Sequence, residues 1–293
     1  CGGEAMAQGE LDDDALLAAS APSDLEAALM LLVNSCPIGA RLCGRALPVS
    51  TLAQIYAIVR NRTAVDRELE EKRTAGSLLV LQLPAALRDE SLIVRGDDVQ
   101  SVMCVERDAA TEPEDKRALA LAIHLIRQCT RSRVEEADIV NKLLENKELA
   151  TRIAGDPATA AQGMAAILVR RGWLVPLRSM AVAGLGEAPA VEGTSWLWSL
   201  PRCGLLVKSM LEVRADVLRC LDRQSFGRAP RIVVERATVA SVRKSHLSLD
   251  YVLLDMEGRT LLKCDPAAPA GPSLQLSAAG KESAAALKKK RKR

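Results

Sequence analysis

Residues 50–83 constrain this chain more than any other stretch, because they spell helix, tight turn, helix and strand in immediate succession. Ser50 or Thr51 caps a short helix whose apolar residues are Leu52, Ile55, Tyr56 and Val59. The polar Arg60-Asn61-Arg62 interrupts that pattern. Thr63 then caps a second helix, with Val65 and Leu69 inward and Asp66, Arg67, Glu68, Glu70, Glu71, Lys72 and Arg73 mostly outward. Gly76 ends it, as a glycine past the last turn commonly does. The apolar run 78–83 suits a buried strand. Two short helices in a tight pair followed by a strand form the core of a winged helix, which lays its second helix in a DNA groove.

The same reading extends along the chain. Residues 1–23 are small and acidic, including Asp12-Asp13-Asp14, and are expected to be disordered. Asp24 caps a helix of Leu25, Leu29, Leu32 and Val33. With the strands 78–83 and 91–95 and a wing at 84–90, this predicts a first winged helix over 24–105. The polar residues 106–114 read as a linker. A second winged helix over 106–200 follows, with three helices: one through Leu119, Ala122, Ile123, Ile126 and Cys129, one opened by Ser132, and one after Asp156-Pro157. Its hairpin runs from Trp173 through a loop at 183–193 to the strand 195–200. Pro201 opens a third unit over 201–265, with a helix through Leu205, Leu206, Met210, Val213, Val217 and Leu221. Residues 232–242 read as helix, though their Val and Ile also allow a strand, and 247–254 with 260–262 read as a closing hairpin around Glu257-Gly258. Residues 266–293 are expected to be a disordered tail with a basic end. The predicted class is α+β, mainly helical, with three tandem winged helices.

At 293 residues the chain is long enough for several small domains. Hydrophobic residues make up 48% and aromatics only 2%, so the cores must be aliphatic. The net charge of +3 does not by itself imply nucleic acid, so the distribution of charge has to carry that argument. Eight cysteines are scattered without Cys-x-x-Cys spacing or a histidine suited to zinc, and read as free thiols. No metal or cofactor is expected. His124 and His246 lack partners at catalytic spacing. No run is long enough to span a membrane. Cys1 in place of Met points to a processed or truncated start.

Gln54, Tyr56, Val59, Arg62, Thr63, Asp66, Arg67, Leu69, Gly76, Gln82 and Leu83 form a pattern that resembles the serine/threonine-protein kinase 19 family. The segment 196–204 (Trp-Leu-Trp-Ser-Leu-Pro-Arg-Cys-Gly), followed by Lys208, resembles that family's tryptophan strand, turn and helix lysine. The end at 249–264 is similar more weakly. Despite the name, the resemblance implies tandem winged-helix DNA-binding proteins. It also implies a nuclear role in transcription-coupled nucleotide excision repair. The implied partners are double-stranded DNA, RNA polymerase II, a repair-specific ubiquitin ligase complex and TFIIH.

Candidate DNA contacts concentrate in the third unit, where Lys208, Arg214, Arg223, Arg228, Arg236, Arg243 and Lys244 supply phosphate-binding cations. Arg236, Arg243 and Lys244 share one helical face. Lys208 matches the family lysine. Arg62 sits at the amide-rich start of the first unit's second helix, and Arg67 lies one turn on, where it can instead pair with Glu70 or Glu71. Of Trp196 and Trp198, one is expected inside and one outside. The run Lys288, Lys289, Lys290, Arg291, Lys292, Arg293 suits a nuclear import signal.

A kinase would need a phosphate loop, a strand lysine, a catalytic-loop aspartate and an Asp-Phe-Gly metal site. The sole phenylalanine lies in Ser225-Phe226-Gly227, neither histidine precedes Arg-Asp, and Gly184-Leu185-Gly186 lacks a partner lysine. The expectation is a non-enzymatic scaffold that uses no nucleotide and no membrane. The alternative is a winged-helix module that binds only proteins.

Overall fold

A computed structural model describes residues 22–35, 47–82, 91–128, 132–145, 156–177, 195–245, 247–268 and 271–291. Most are helical, with three small sheets. The wing at 84–90, the loop at 183–193 and most of the acidic start lie outside the described residues.

One element order recurs three times. The first repeat is α1 (Asp24–Ser35), β1 (Ser50–Thr51), α2 (Leu52–Ile58), α3 (Arg62–Thr74), β2 (Leu78–Gln82) and β3 (Ser91–Arg95). An additional helix, α4 (Gly96–Ala109), leads into the second repeat. That comprises α5 (Pro113–Gln128), β4 (Arg133–Glu135), α6 (Glu136–Glu145), α7 (Pro157–Arg171), β5 (Leu174–Pro176) and β6 (Ser195–Trp198). The third is α8 (Cys203–Asp222), β7 (Arg228–Pro230), α9 (Arg231–Ser245), α10 (Leu249–Gly258), β8 (Leu262–Asp265) and β9 (Ser273–Leu276), followed by α11 (Ala278–Arg291). Each sheet is antiparallel, and in each the last strand lies between the other two: β1-β3-β2, β4-β6-β5 and β7-β9-β8.

Local chemistry sets the first repeat. Thr51 and Gln54 cap α2 reciprocally, each side chain bonding the other's backbone N–H. Asn61, not Thr63, caps α3 by accepting from the Ala64 N–H. The Tyr56 hydroxyl donates to Asp66, tying α2 to α3. Val65 and Leu69 face Leu25, Leu29 and Leu32 of α1 in a small apolar cluster.

Four sequence expectations are corrected. Residues 249–258 form α10, not a strand. Ser248 caps it by accepting from the Tyr251 N–H, and Leu249, Val252 and Met256 recur on a helical face. The third sheet instead closes with β8 and β9, so residues 273–291, expected to be disordered, are strand and helix. Leu274 and Leu276 point into the core from β9, a period-two pattern hidden among small residues. The linker at 106–114 is instead the end of α4, a short connection and the start of α5. There Glu106 accepts from Trp173 Nε1 and from Arg171 Nη1, both at 2.8 Å. Finally, Trp196 and Trp198 are both buried. Residues i and i+2 of a strand share one face, so both tryptophans enter the core.

A single large core runs through the second and third repeats and takes in Leu79, Leu81 and Val94 from the first sheet. A polar junction joins the first and third repeats directly, where α10 packs on α2. Gln54 Nε2 donates to the Tyr251 carbonyl at 2.8 Å, and Tyr251 OH donates to the Val49 carbonyl at 2.7 Å. Gly258 lies so close that a Cβ there would stand 1.6 Å from the Ala53 carbonyl oxygen. Only glycine permits this helix contact.

Candidate nucleic-acid interface

The apolar stripe of α8 decides which of its cations meet solvent. Leu206, Met210, Val213, Val217 and Leu221 are buried, which turns Lys208, Arg219 and Arg223 outward along the opposite side. The adjacent α9 buries Val234 and Thr238 and leaves Arg236, Arg243 and Lys244 exposed. Arg236 and Arg243 stand about two turns apart and so share one stripe. Neither makes an ion pair among the described residues. Lys244 reaches back to Glu212 of α8, Nζ to Oε2 at 3.3 Å.

Between α8 and α9 lies an open groove of about 360 Å³, lined by Asp216, Arg219, Cys220, Arg223, Gln224 and Val233. Asp216 holds Arg219 at 2.8 Å. Burial pushes the Cys220 thiol up, against the opposing charge of Arg223, so the groove holds a neutral thiol and not a nucleophilic thiolate. Exposed guanidinium and ammonium groups around such a groove suit successive phosphates of a backbone.

The other candidates are placed differently. Arg228, at the start of β7, is exposed but engaged, its Nη2 lying 3.1 Å from Asp265 Oδ2 and 2.9 Å from Ser273 Oγ. Arg67 is exposed and pairs with Glu71 at 3.7 Å, as its spacing allowed. Arg62 sits at the first turn of α3 with its guanidinium 5.0 Å from the Tyr56 ring centre and its Nη2 donating to the Gly258 carbonyl at 3.3 Å. It therefore packs at the junction of the first and third repeats, in a shallow recess with Ser91, Arg259 and Thr260.

Arg214 is a correction. It is buried on the core side of α8, its Nη2 2.8 Å from Asp255 Oδ2, and cannot reach a phosphate. Asp255 is fully buried and also accepts from Thr51 Oγ1 at 2.8 Å and Arg259 Nε at 3.3 Å. Arg214, Asp255 and Arg259 thus belong to the scaffold. Sequence reasoning missed this cluster. Its one visible sign was Asp255 directly after the apolar residues Tyr251 to Leu254.

Of the basic run, Lys288 and Lys289 are exposed near the end of α11, and Lys288 pairs with Asp222 of α8 at 2.6 Å. Lys290 to Arg293 lie outside the described side chains. Among the described residues no cluster of His, Cys, Asp or Glu could hold a metal, and no helix is long and apolar enough to cross a membrane.

A family model described as inactive serine-threonine protein kinase 19 matches residues 21–249. No curated protein matches the chain. Among solved structures, one described as "SspB crystal structure" aligns at 13% identity over 92% of this chain and 85% of that chain, with a TM-score of 0.15.

Proposed function

Since the chain belongs to the inactive serine-threonine protein kinase 19 family, we propose that it is a non-enzymatic scaffold of three tandem winged helices that binds double-stranded DNA. The helix–strand–helix–helix–strand–strand order with a central last strand, repeated three times, supports the winged-helix reading. The observation that carries DNA binding is the cationic face of α8 and α9, with Lys208, Arg223, Arg236, Arg243 and Lys244 turned to solvent.

This face is not the usual recognition surface of a winged helix. The third helix of the third repeat, α10, is buried against α2 and cannot enter a groove. The exposed side of α3 in the first repeat sets Asp66, Glu70 and Glu71 beside Arg62 and Arg67, and Arg67 is paired with Glu71. Contact is therefore to the backbone, through the first two helices of the third repeat, and is insensitive to base sequence.

The family resemblance supports the wider setting of this proposal. The scaffold acts in the nucleus, in transcription-coupled nucleotide excision repair at stalled RNA polymerase II, alongside the ubiquitin ligase complex and TFIIH. The basic end at 288–293 supplies the import signal.

Charge reversal tests the core of this reading. R236E/R243E should abolish binding of a labelled duplex, whereas R67E leaves it within about twofold. Duplex binding by R236E/R243E equal to that of the native protein would place the interface elsewhere.

A further inference from the structure

We infer that Phe226 is a stacking platform for an unpaired nucleobase, so that the third repeat engages single-stranded segments within or beside duplex DNA. This inference rests on the DNA-binding reading above. Phe226 is the only phenylalanine in the chain, and its residue is 89% exposed. The other aromatic side chains are occupied. The three tryptophans and Tyr251 are buried, and Tyr56 lies between Arg62 and Asp66. Among the described phenylalanine, tyrosine and tryptophan residues, Phe226 is thus the one ring fully offered to solvent.

Its backbone is held, not free. Phe226 has φ 60° and ψ 10°, a left-handed conformation that a bulky residue adopts only where its surroundings impose it. The surroundings here are clear. Gly227, at φ 67°, is buried, and a Cβ there would lie 3.4 Å from the Leu276 side chain of β9. The Gly227 N–H donates to the Gln224 carbonyl and the Gln224 N–H to the Leu221 carbonyl, both at 3.0 Å. Arg228 then anchors the chain to Ser273 and Asp265. The turn is clamped to α8 behind it and to the third sheet ahead of it, and the ring projects from its tip.

Charge selects the occupant. Arg223, exposed, flanks the ring on one side in sequence, and Arg228, held by Asp265 and Ser273, flanks it on the other. Gln224 and Arg223 also line the α8–α9 groove, so the ring stands at the end of the proposed phosphate track. An apolar protein partner would have to desolvate those guanidinium groups. A single strand presents a flat ring for Phe226 and a phosphate for Arg223, the pairing on which single-strand binding sites depend.

The test compares a labelled, fully paired duplex with the same duplex ending in a single-stranded fork. The native protein should prefer the fork. F226A and F226G should weaken fork binding by roughly tenfold or more and keep binding to the paired duplex within twofold. Phe226→Gly accepts the left-handed backbone, so its fold is not in question. Phe226→Trp should retain fork binding, and fork addition should quench its exposed indole while the buried tryptophans stay unchanged. Fork and duplex affinities in F226A matching those of the native protein would overturn this inference alone. Absence of binding to either DNA by the native protein would overturn both it and the reading beneath it.

Discussion

Thr51 Oγ1 donates to Asp255 Oδ1 at 2.8 Å across 204 residues of sequence. The capping residue of α2 in the first repeat thereby shares a fully buried carboxylate with Arg214 of α8 in the third. This junction fixes the third repeat, and hence its cationic face, against the first.

Asp255→Ala should destabilise the protein by about 3–5 kcal/mol, because it leaves the Arg214 guanidinium buried without its counter-charge. Urea unfolding measures this. The double variant R214L/D255L should recover most of the loss, since an apolar pair of similar volume removes both desolvation penalties. A D255A protein as stable as the native one would contradict the junction.

Gly258→Ala tests the same contact through shape alone. Its Cβ would stand 1.6 Å from the Ala53 carbonyl oxygen, so α10 must move off α2. The expected cost is about 3 kcal/mol, read from the urea midpoint. Native-like stability would mean the two helices do not approach so closely in solution.

The Tyr56 phenol is pushed up to about 12, first by burial and then by its bond to Asp66 and the charge of that carboxylate. An unfolded tyrosine ionises near pH ~10. The folded state therefore binds more protons above that pH. The contribution is fully present below pH ~10 and is lost as pH rises toward about 12. Stability of the native protein should fall more steeply across this window than that of Y56F. Equal slopes from thermal melts in the two proteins would exclude the coupling.

Asp115 shows the opposite sign. Its bonds to Arg171 and Arg170 hold its carboxyl below the usual carboxylate range, the Arg171 bond contributing most. Stability from this pair is present above the ordinary aspartate value and is lost as pH falls through the lowered one. Arg171→Met removes the main partner, so it should move acid unfolding to higher pH. An unmoved acid transition by circular dichroism would contradict the assignment.

The elements legible in the sequence are those whose signals are local. Gly76 closes α3 and apolar spacing gives α8, whatever the rest of the chain does, whereas the start of α3 was read at Thr63 and lies at Asn61, both residues of capping type. The run 249–254 misleads because its apolar residues Leu249, Tyr251, Val252, Leu253 and Leu254 suit either period. Its true partner, α2, lies some two hundred residues away, and packing on α2 fixes it as helix. Arg214 follows the same division. It stands one turn from both Met210 and Val217, so its burial was written in the helical spacing. Asp255, the residue that makes its burial tolerable, was not. The family motif has a similar lesson. Gln54, Tyr56 and Arg62 read as part of a family pattern, and Arg62 as a phosphate contact, yet in the fold they cap α2, tie it to α3 and brace α10.

The most direct measurement of the central claim is the salt dependence of duplex affinity, by fluorescence anisotropy, for the native protein and R236E/R243E. Each neutralised phosphate contributes about 0.9 to the slope of log affinity against log salt. The account predicts a steep native slope, reduced by about 2 in the variant. A native slope near zero, or a variant slope equal to the native one, would contradict the phosphate-binding face on α8 and α9.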